Sequence, residues 1–427
     1  MKKTILILLA AFLALASCEK APVQKEGNAS VYTLDELSFD FTVEREDATK
    51  GIRSAWQSGD RLFLFFEAVN AAYLTIDFDG TSWSKPATLH VRDGESTPSL
   101  EKAGKMTAVY LPYGNSLEPS WNGSAWTFPS GTDFYFLRCV DADYYITDDE
   151  NQIPSMGAYL YMVNADDYVQ FYIPDDTASG SIQVACNAII PAGIGGVSLD
   201  GSIIETELAQ GTWITARADV IDGETGYYLS GRLAPRPGSN YYFALQSGTT
   251  YKHYYKSRDV ALSGHHAYQL PDIGDWPTVT PDAEVVIAGN KWLATNAGAS
   301  TPWEIGTAYD AASMNNAVAD GSDTMVPSDT EWAMIQDRYK AVWIQLTIVG
   351  TSGFVVADRS APGNFIFLPC AAYWTASAAG GDQHYFNAKD DGTHGIAESN
   401  PPATACVRLV SALRNGGFNP PENGGDI

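Results

Sequence analysis

Residues 37–53 read LSFDFTVEREDATKGIR, and the regular alternation in the first half of this stretch decides the expected fold. Every second residue there is apolar and the residues between are polar, which is the pattern of a β-strand with one buried face. The predicted inward residues of this strand are Leu37, Phe39, Phe41 and Val43. The stretch therefore predicts a strand near the start of the chain.

A polar segment with three basic residues follows this strand directly. Arg45, Lys50 and Arg53 all precede Trp56, where the apolar pattern resumes. A polar stretch of this kind is easily cut, because exposed polar segments are preferred sites of proteolysis. From the residues alone, the favoured interpretation is an ordinary loop that follows a permanent strand. The alternative is a strand that a cut after one of these basic residues would separate from the chain.

The first 17 residues resemble a bacterial lipoprotein signal. Two lysines precede an apolar run at 5–16, which is shorter than the ~20 residues of a membrane span. The sequence LASC at 15–18 fits a lipobox, in which signal peptidase cuts before a diacylated cysteine. We expect Cys18 to carry lipid and to tether the precursor to the outer membrane, while an ordinary signal peptide is the alternative.

Composition narrows the class of protein. The formal charge of the 427 residues is −25, so the chain lacks the basic surface that binding to nucleic acid requires. Aromatic residues, Thr, Val, Gly and Pro are frequent and long helical patterns are rare, which favours mostly β structure. A chain of this length is too long for one core, so we expect two or three domains.

Strand patterns and turn signals divide the chain into segments. The stretch DIGDWPTVTPDA at 272–283 has the prolines of a stiff linker. Farther along, a capping box at Ser328 and Glu331 predicts a helix with Trp332, Ile335 and Tyr339 on one face. The expected division is a signal peptide at 1–17, a tether with the first strand and a cleavable loop at 18–55, a β domain at 56–185 completed by a strand at 31–43, a second β domain at 186–272, a linker at 273–283, an α+β domain at 284–412 and a flexible tail at 413–427.

Several motifs before residue 272 resemble the fimbrillin-type pilus subunits of Bacteroidales. They are WQSGDRLFLF from Trp56, the hairpin from Tyr73 to Trp83, TAVYLPY from Thr107, NYYFAL from Asn240 and LSGHHAYQL from Leu262. The resemblance implies two β-sandwich-like domains. In that family the lipoprotein precursor loses its first strand to a trypsin-like protease, and the groove that opens accepts a strand from the next subunit.

The region after residue 284 resembles the Fibrobacter-type major paralogous domain, which is related to C-type-lectin-like and formylglycine-generating folds. The motifs are KWLATNAGA from Lys291, VPSDTEW from Val326, IFLPCAAY from Ile366 and VRLV from Val407. This resemblance implies a lectin-like, adhesin-like C-terminal domain with an extracellular ligand, such as a glycan or a surface protein of a host or bacterium.

Two groups of residues in this last region are candidates for chemistry. Some enzymes of the formylglycine-related fold use a pair of cysteines in the active site, and Cys370 and Cys406 could be such a pair. A disulfide between these two cysteines is the simpler interpretation, because the domain is exported. The stretch 380–399 could line a ligand or calcium site, or it could be a solvated loop; its candidate residues are Asp382, His384, Asp390 and Asp391. The chain has no catalytic, phosphate-binding or dinucleotide-binding motif and no spacing typical of a metal site, so we expect no enzyme activity, cofactor or metal.

Together these patterns predict a cell-surface pilus subunit that binds other subunits by strand addition. The end of the chain, RNGGFNPPENGGDI, has no run that could pair as a donor strand, so a position at the pilus tip is expected. The alternative function is a surface lipoprotein that binds glycans and never polymerises.

Overall fold

A computed structural model describes residues 31–46, 55–84, 87–111, 117–129, 137–148, 152–164, 167–221, 223–234, 240–257, 261–264, 266–379 and 382–411. The chain is mostly β, as the sequence predicts, and it forms several sheets. No helix within these ranges has the length and apolar character needed to cross a membrane.

The described residues of the first part of the chain form eleven strands and a 3-10 turn at Leu34–Glu36. The strands are β1 (Val31–Thr33), β2 (Ser38–Arg45), β3 (Arg61–Phe66), β4 (Ala72–Asp77), β5 (Thr88–Val91), β6 (Ser99–Glu101), β7 (Ala103–Tyr110), β8 (Ser120–Trp121), β9 (Ala125–Thr127), β10 (Leu137–Thr147) and β11 (Ser155–Met162).

In the middle part, the residues that the structure describes form eleven more strands and a 3-10 turn at Ile273–Asp275. The strands are β12 (Tyr168–Pro174), β13 (Ser181–Cys186), β14 (Ile189–Ile190), β15 (Ala192–Ser198), β16 (Ile203–Glu207), β17 (Ile214–Ile221), β18 (Glu224–Leu233), β19 (Asn240–Ser247), β20 (Thr250–Ser257), β21 (His266–Gln269) and β22 (Thr278–Val279).

The last part combines strands with one short α-helix and a 3-10 turn at Met314–Ala317. Its elements are β23 (Glu284–Ile287), β24 (Asn290–Leu293), β25 (Thr324–Met325), α1 (Asp329–Gln336), β26 (Ala341–Ile348), β27 (Thr351–Asp358), β28 (Phe365–Pro369), β29 (Ala372–Ala379), β30 (Asp382–Ala388), β31 (His394–Ala397) and β32 (Val410–Ser411).

The first sheet has the strand order β2-β11-β10-β7-β3-β4-β5 and is covered on both faces. Leu62 and Leu64 of β3 lie in the apolar cluster on one face, while Phe63 and Phe65 lie in the cluster on the other. The second cluster also contains residues of β9 and β15, which belong to a sheet of order β16-β15-β9-β8. Burial on both faces explains why RLFLFF is a continuous apolar run rather than an alternating one.

The second sheet begins earlier in the chain than the expected boundary at residue 186. Strand β12 pairs with β18 and β21, and β13 pairs with β17 and β19, so both belong to this sheet. Conversely, the hairpin β15–β16 pairs with β9 and belongs to the small sheet that covers one face of the first sheet. Assigning 168–173 to the first β region was wrong, because alternation along a strand does not identify its partner.

The segment expected to be a stiff linker is docked on the second sheet. Trp276 is 2% exposed and stacks on Tyr254, with ring centroids 5.2 Å apart. Strand β22 pairs with β20 at the edge of the sheet. The prolines therefore shape a packed segment rather than a free spacer.

The α-helix begins where its cap predicts. Ser328 is the N-cap, and its backbone N–H donates to the carboxylate of Glu331 at 2.7 Å, which confirms the capping box. Trp332 and Ile335 are fully buried. Tyr339 lies beyond the end of the helix and is 73% exposed, so its predicted place on the buried face was wrong.

Candidate functional site

The first strand lies at one edge of the first sheet. Strand β2 pairs with β11 in parallel over eight residues, from Ser38 opposite Ser155 to Arg45 opposite Met162. The Ser38 N–H donates to the carbonyl of Pro154 and the Glu46 N–H to that of Met162, both at 2.9 Å. No other described strand pairs with β2, so β11 is its only neighbour within those ranges.

The inward face of β2 closes one end of the apolar core. Leu37, Phe39 and Phe41 are 7%, 8% and 9% exposed, and Val43 is half-buried against the same cluster. The rings of Phe39 and Phe41 lie 5.7 Å apart. Because each buried side chain of this size contributes ~1.5–3 kcal/mol, the strand covers a surface that water would otherwise reach.

The strand that receives β2 has its own buried face. Met156, Leu160 and Met162 of β11 are fully buried in the cluster that also holds Phe39 and Phe41. On the outer face, the Tyr159 hydroxyl donates to the Glu44 carboxylate at 2.6 Å and links the two strands. The sequence SMGAYLYM alternates clearly, but nothing local in it identifies β2 as its partner.

The three candidate cleavage residues differ in their surroundings. Arg45 is the last residue of β2, is half-buried, and lies over the ring of Trp56 at 5.0 Å. Trp56 in turn packs edge-on against Trp83 and Tyr110, with centroids 5.0 and 5.1 Å away. Lys50 and Arg53 lie outside the described residues. Sequence reasoning missed Trp56 as a contact for the end of the strand.

The segment that precedes β2 is also docked. Strand β1 pairs with β6, and the Leu34 N–H donates to the carbonyl of Pro98 at 3.1 Å. Leu34 is fully buried in the same core as Phe39. The expected single strand at 31–43 is thus two strands around a 3-10 turn. The lipidation candidate Cys18 and the signal peptide lie outside the described residues.

The four candidate ligand residues of the C-terminal region lie at different positions along strand β30 and the turn after it. Asp382 begins strand β30, whereas Asp390 and Asp391 lie in the turn after its end. At about 3.3 Å per residue, this strand separates the two groups by roughly 20 Å. His384 is 6% exposed, and its Nδ1 pairs with the Asp329 carboxylate at 2.6 Å. The four residues therefore do not meet at one point, and a ligand surface formed by them stays a prediction.

The two cysteines proposed to form a disulfide are free thiols in this structure. Cys370 lies beside Asp390, and burial together with this carboxylate raises the pKa of its thiol to about 12. Cys406 is buried in the C-terminal core, where desolvation raises the pKa of its thiol to about 11. Neither thiol has the low pKa of a nucleophilic cysteine.

A cleft of about 400 Å³ lies at the end of the sheet of order β23-β24-β32-β25. Its polar lining includes Asp282, Asn296 and Tyr309. Sequence reasoning did not single out these residues, because they are separated along the chain and have no motif spacing. Within the described ranges, no group of three or more His, Cys, Asp or Glu side chains could hold a metal ion.

Comparisons with known proteins found low similarity. No family model matches the chain, and no curated protein matches it. A candidate cell adhesion protein from Bacteroides ovatus is 14% identical, covering 56% of this chain and 94% of its own, with a TM-score of 0.28. A fimbrial protein from the same species is 10% identical, covering 88% of this chain and 99% of its own, with a TM-score of 0.25. A candidate cell adhesion protein from Bacteroides eggerthii is 8% identical, covering 58% and 86%, with a TM-score of 0.22. TM-scores this low do not establish a shared fold or function.

Proposed function

We propose that this chain is a surface-exposed fimbrial subunit that accepts a strand from another subunit after β2 leaves the first sheet. The observation that carries the proposal is the position of β2. It is a strand near the start of the chain, it pairs along one side only among the described residues, and its inward residues close a core. Loss of such a strand leaves an unpaired edge and a row of empty apolar positions, which together bind an extended segment.

The cut that releases the strand follows Lys50 or Arg53 in this proposal. Arg45 is a poor substrate while β2 is in place, because its backbone belongs to the ladder with β11 and its guanidinium lies on Trp56. A protease needs an unpaired extended segment, and the polar sequence 47–54 offers the two other basic residues. Lipid at Cys18 brings the precursor to the outer membrane, and cleavage frees the folded part from that anchor.

A terminal position in the pilus is the finer part of the proposal. The C-terminal region then projects outward as an adhesin-like part. Immunogold labelling at pilus ends is the expected result, and labelling along the shafts contradicts the terminal role.

Peptide complementation tests strand acceptance directly. After trypsin treatment and removal of the strand, a peptide copying residues 35–44 should restore the melting temperature of the protein. A control peptide with Phe39→Ser and Phe41→Ser lacks the two rings that fill the groove in any register and should not restore it. Equal effects of the two peptides would overturn the proposed groove.

N-terminal sequencing of protein extracted from the cell surface tests the processing step. A mature N-terminus after Lys50 or Arg53 supports assembly by strand addition. An intact acylated Cys18 on all surface copies supports the alternative, a lipoprotein that stays on its lipid and binds glycans.

A further inference from the structure

The cleft beside Tyr309 has an apolar floor and a polar rim. Leu293 and Leu409 form part of the floor and belong to the apolar cluster around Trp374. Small residues line much of the wall and leave the space open. Gly298, one of these, has a φ of +74°, and a Cβ there would lie 2.1 Å from the Thr307 hydroxyl, so only glycine fits this wall.

The polar side chains of the cleft include carboxylate and amide oxygens, which accept hydrogen bonds. The Asn296 side chain is 2% exposed, and its Nδ2 donates to the carbonyls of Glu304 and Ile305 at 3.3 and 2.8 Å. These two bonds and a longer one of 3.4 Å from Nδ2 to the Tyr373 hydroxyl fix the amide, and its Oδ1 is left without a donor among the described residues. A buried acceptor without a donor is destabilising, so a donor from outside the chain is favoured there.

The two carboxylates at the cleft differ in the hydrogen bonds that they accept from the protein. Glu284 accepts hydrogen bonds from Lys291 at 2.8 Å and from the Ser411 hydroxyl, and these donors hold the pKa of Glu284 below its usual value. Asp282 is exposed at the rim and has no side-chain partner among the described residues. Asp282 is therefore the carboxylate that remains available to a ligand.

Tyr309 supplies a fixed aromatic ring at the same rim. Its backbone exchanges two hydrogen bonds of 2.9 Å with Ala405, and its carbonyl accepts from the Trp374 indole at 2.7 Å. The ring is half-buried, so one part packs on the protein and another part remains available. A tyrosine in this position offers a flat apolar face beside polar groups.

This chemistry matches a neutral ligand that has many hydroxyl donors and an apolar face. No lysine or arginine is among the described residues that line the cleft, which argues against an anionic ligand. One free carboxylate is too few for a metal ion, which needs several oxygen ligands. A pyranose ring fits, because its C–H face stacks on an aromatic ring and its hydroxyls donate to carboxylate and amide oxygens.

We propose that this cleft binds a neutral saccharide ring, with Tyr309 against its face and Asp282 and Asn296 accepting from its hydroxyls. The inference rests on the proposed adhesive role of the C-terminal region, but not on strand exchange. It also places the ligand site away from Asp390 and Asp391.

The test uses the full mature chain and a stated set of probes. The probes are the methyl glycosides of glucose, galactose and mannose, N-acetylglucosamine, and an array of neutral glycans, with glucuronate as the anionic comparison. We expect saturation-transfer NMR signals from at least one neutral sugar and weaker signals from glucuronate, which Asp282 repels. Absence of binding to every neutral glycan would overturn the proposal.

Three variants locate the site, and a fourth serves as control. Tyr309→Ala and Asp282→Asn should each weaken binding at least tenfold. Ala319→Trp places a large side chain at an exposed position of the rim and should block binding while leaving the melting temperature unchanged. The control Tyr339→Ala removes an exposed tyrosine outside the cleft and should bind as the unaltered chain does.

Retention of full affinity by Ala319→Trp would overturn the proposed site even if glycans bind elsewhere. Peptide complementation on the same variant separates the two proposals. If the variant loses glycan binding and still binds the strand peptide, both the saccharide site and strand acceptance are supported. If the unaltered chain does not bind the strand peptide, only the proposal of assembly by strand addition is contradicted.

Discussion

Phe39 lies on an edge strand and yet is only 8% exposed, because the first sheet is covered on the face that this ring joins. The neighbouring Thr42 points to the opposite face and is exposed. The side chain of Phe39 therefore contributes to the packing of β2 on the core, whereas the side chain of Thr42 does not. This contrast gives a direct test of whether the strand is held by its side chains.

Phe39→Ala should lower the free energy of unfolding by about 3 kcal/mol, at the lower end for a buried phenylalanine because the site is at an edge. Thr42→Ala, the matched control on the outer face, should change it by less than ~0.5 kcal/mol. Urea unfolding of the uncut chain measures both. Similar losses for the two variants would mean that the inward face does not hold the strand.

His253 is a buried titratable residue between the second sheet and the C-terminal region. It is 2% exposed, its Nδ1 lies 3.1 Å from the Tyr242 hydroxyl, and its ring centroid lies 4.4 Å from that of Phe365. Burial lowers the pKa of His253 from 6.5 to about 3. The imidazole is therefore neutral in the folded chain at neutral and mildly acidic pH.

Acid should weaken the fold through this residue. The unfolded chain binds the proton at a higher pH than the folded chain, so stability is present above about pH 6.5 and falls as the pH is lowered toward 3. The contribution is at most ~1.4 kcal/mol per pH unit. His253→Gln should reduce the difference in unfolding free energy between pH 7 and pH 5, while His266→Gln, at an exposed position, should not. Equal acid sensitivity of all three proteins would contradict this assignment.

At the scale of elements, β2 is one of the two edge strands of the first sheet, so its removal breaks a single ladder. It contributes one ladder, to β11, whereas β10, β7, β3 and β4 each pair on two sides. An edge strand can therefore leave without breaking the sheet, and the exposed edge of β11 keeps its shape because β10 still holds it.

Limited trypsin treatment should cut the uncut chain first after Lys50 or Arg53 and spare Arg45. The reason is that Arg45 is paired with Met162 in the ladder and covers Trp56. Mass spectrometry of the early fragments identifies the site. The double variant Lys50→Gln, Arg53→Gln should remove the early cut, and Arg45→Gln, the control, should keep it. First cuts after another exposed basic residue, such as Arg359 or Lys389, would instead contradict the expected susceptibility of 47–54.

The strands themselves could be predicted from sequence far better than their partners. The alternation of Leu37 to Val43 and the continuous run RLFLFF are local signals, and both are strands. The parallel pairing of β2 with β11 depends on contacts across much of the chain, and no local pattern encodes it. For the same physical reason β12 was predicted in the wrong sheet, although its strand character was predicted correctly.

The candidate site residues also differ in whether a local sequence pattern can identify them. The inward residues of β2 follow from a period of two, so they could be identified before the fold was known. The carboxylates at 382 and 390–391 are close in sequence, but an intervening strand places them at opposite ends. Asp282, Asn296 and Tyr309 meet only because three loops converge at one end of a sheet, and no spacing predicts that.

At the scale of the whole molecule, the second sheet and the C-terminal region share one apolar core. Tyr242 and Ala244 of β19 lie in the same cluster as Ile348 of β26 and Phe367 of β28, and all four are fully buried. The Val349 N–H also donates to the carbonyl of Gly211 at 2.7 Å. The C-terminal region is thus packed on the second sheet, although the sequence predicted a separate domain beyond a linker.

Ile348→Ala should therefore loosen both parts together. We expect a loss of about 3 kcal/mol, as for other buried isoleucines, and faster amide hydrogen exchange in β19 and β20 as well as in β26. Ile305→Ala, at a position 50% exposed in the same region, is the control and should leave exchange in all three strands unchanged. Faster exchange in β26 alone would mean that the two parts unfold independently.

The contact between β2 and β11 closes a long loop, since the bonded residues Ser38 and Pro154 are 116 positions apart. Contacts of such high sequence separation form late in folding, because the loop-closure entropy must be overcome first. We therefore expect β10 and β11 to pair before β2 joins the outer edge of β11. Refolding should accordingly become less efficient as protein concentration rises, and an added peptide copying residues 35–44 should compete with the chain's own strand during that interval.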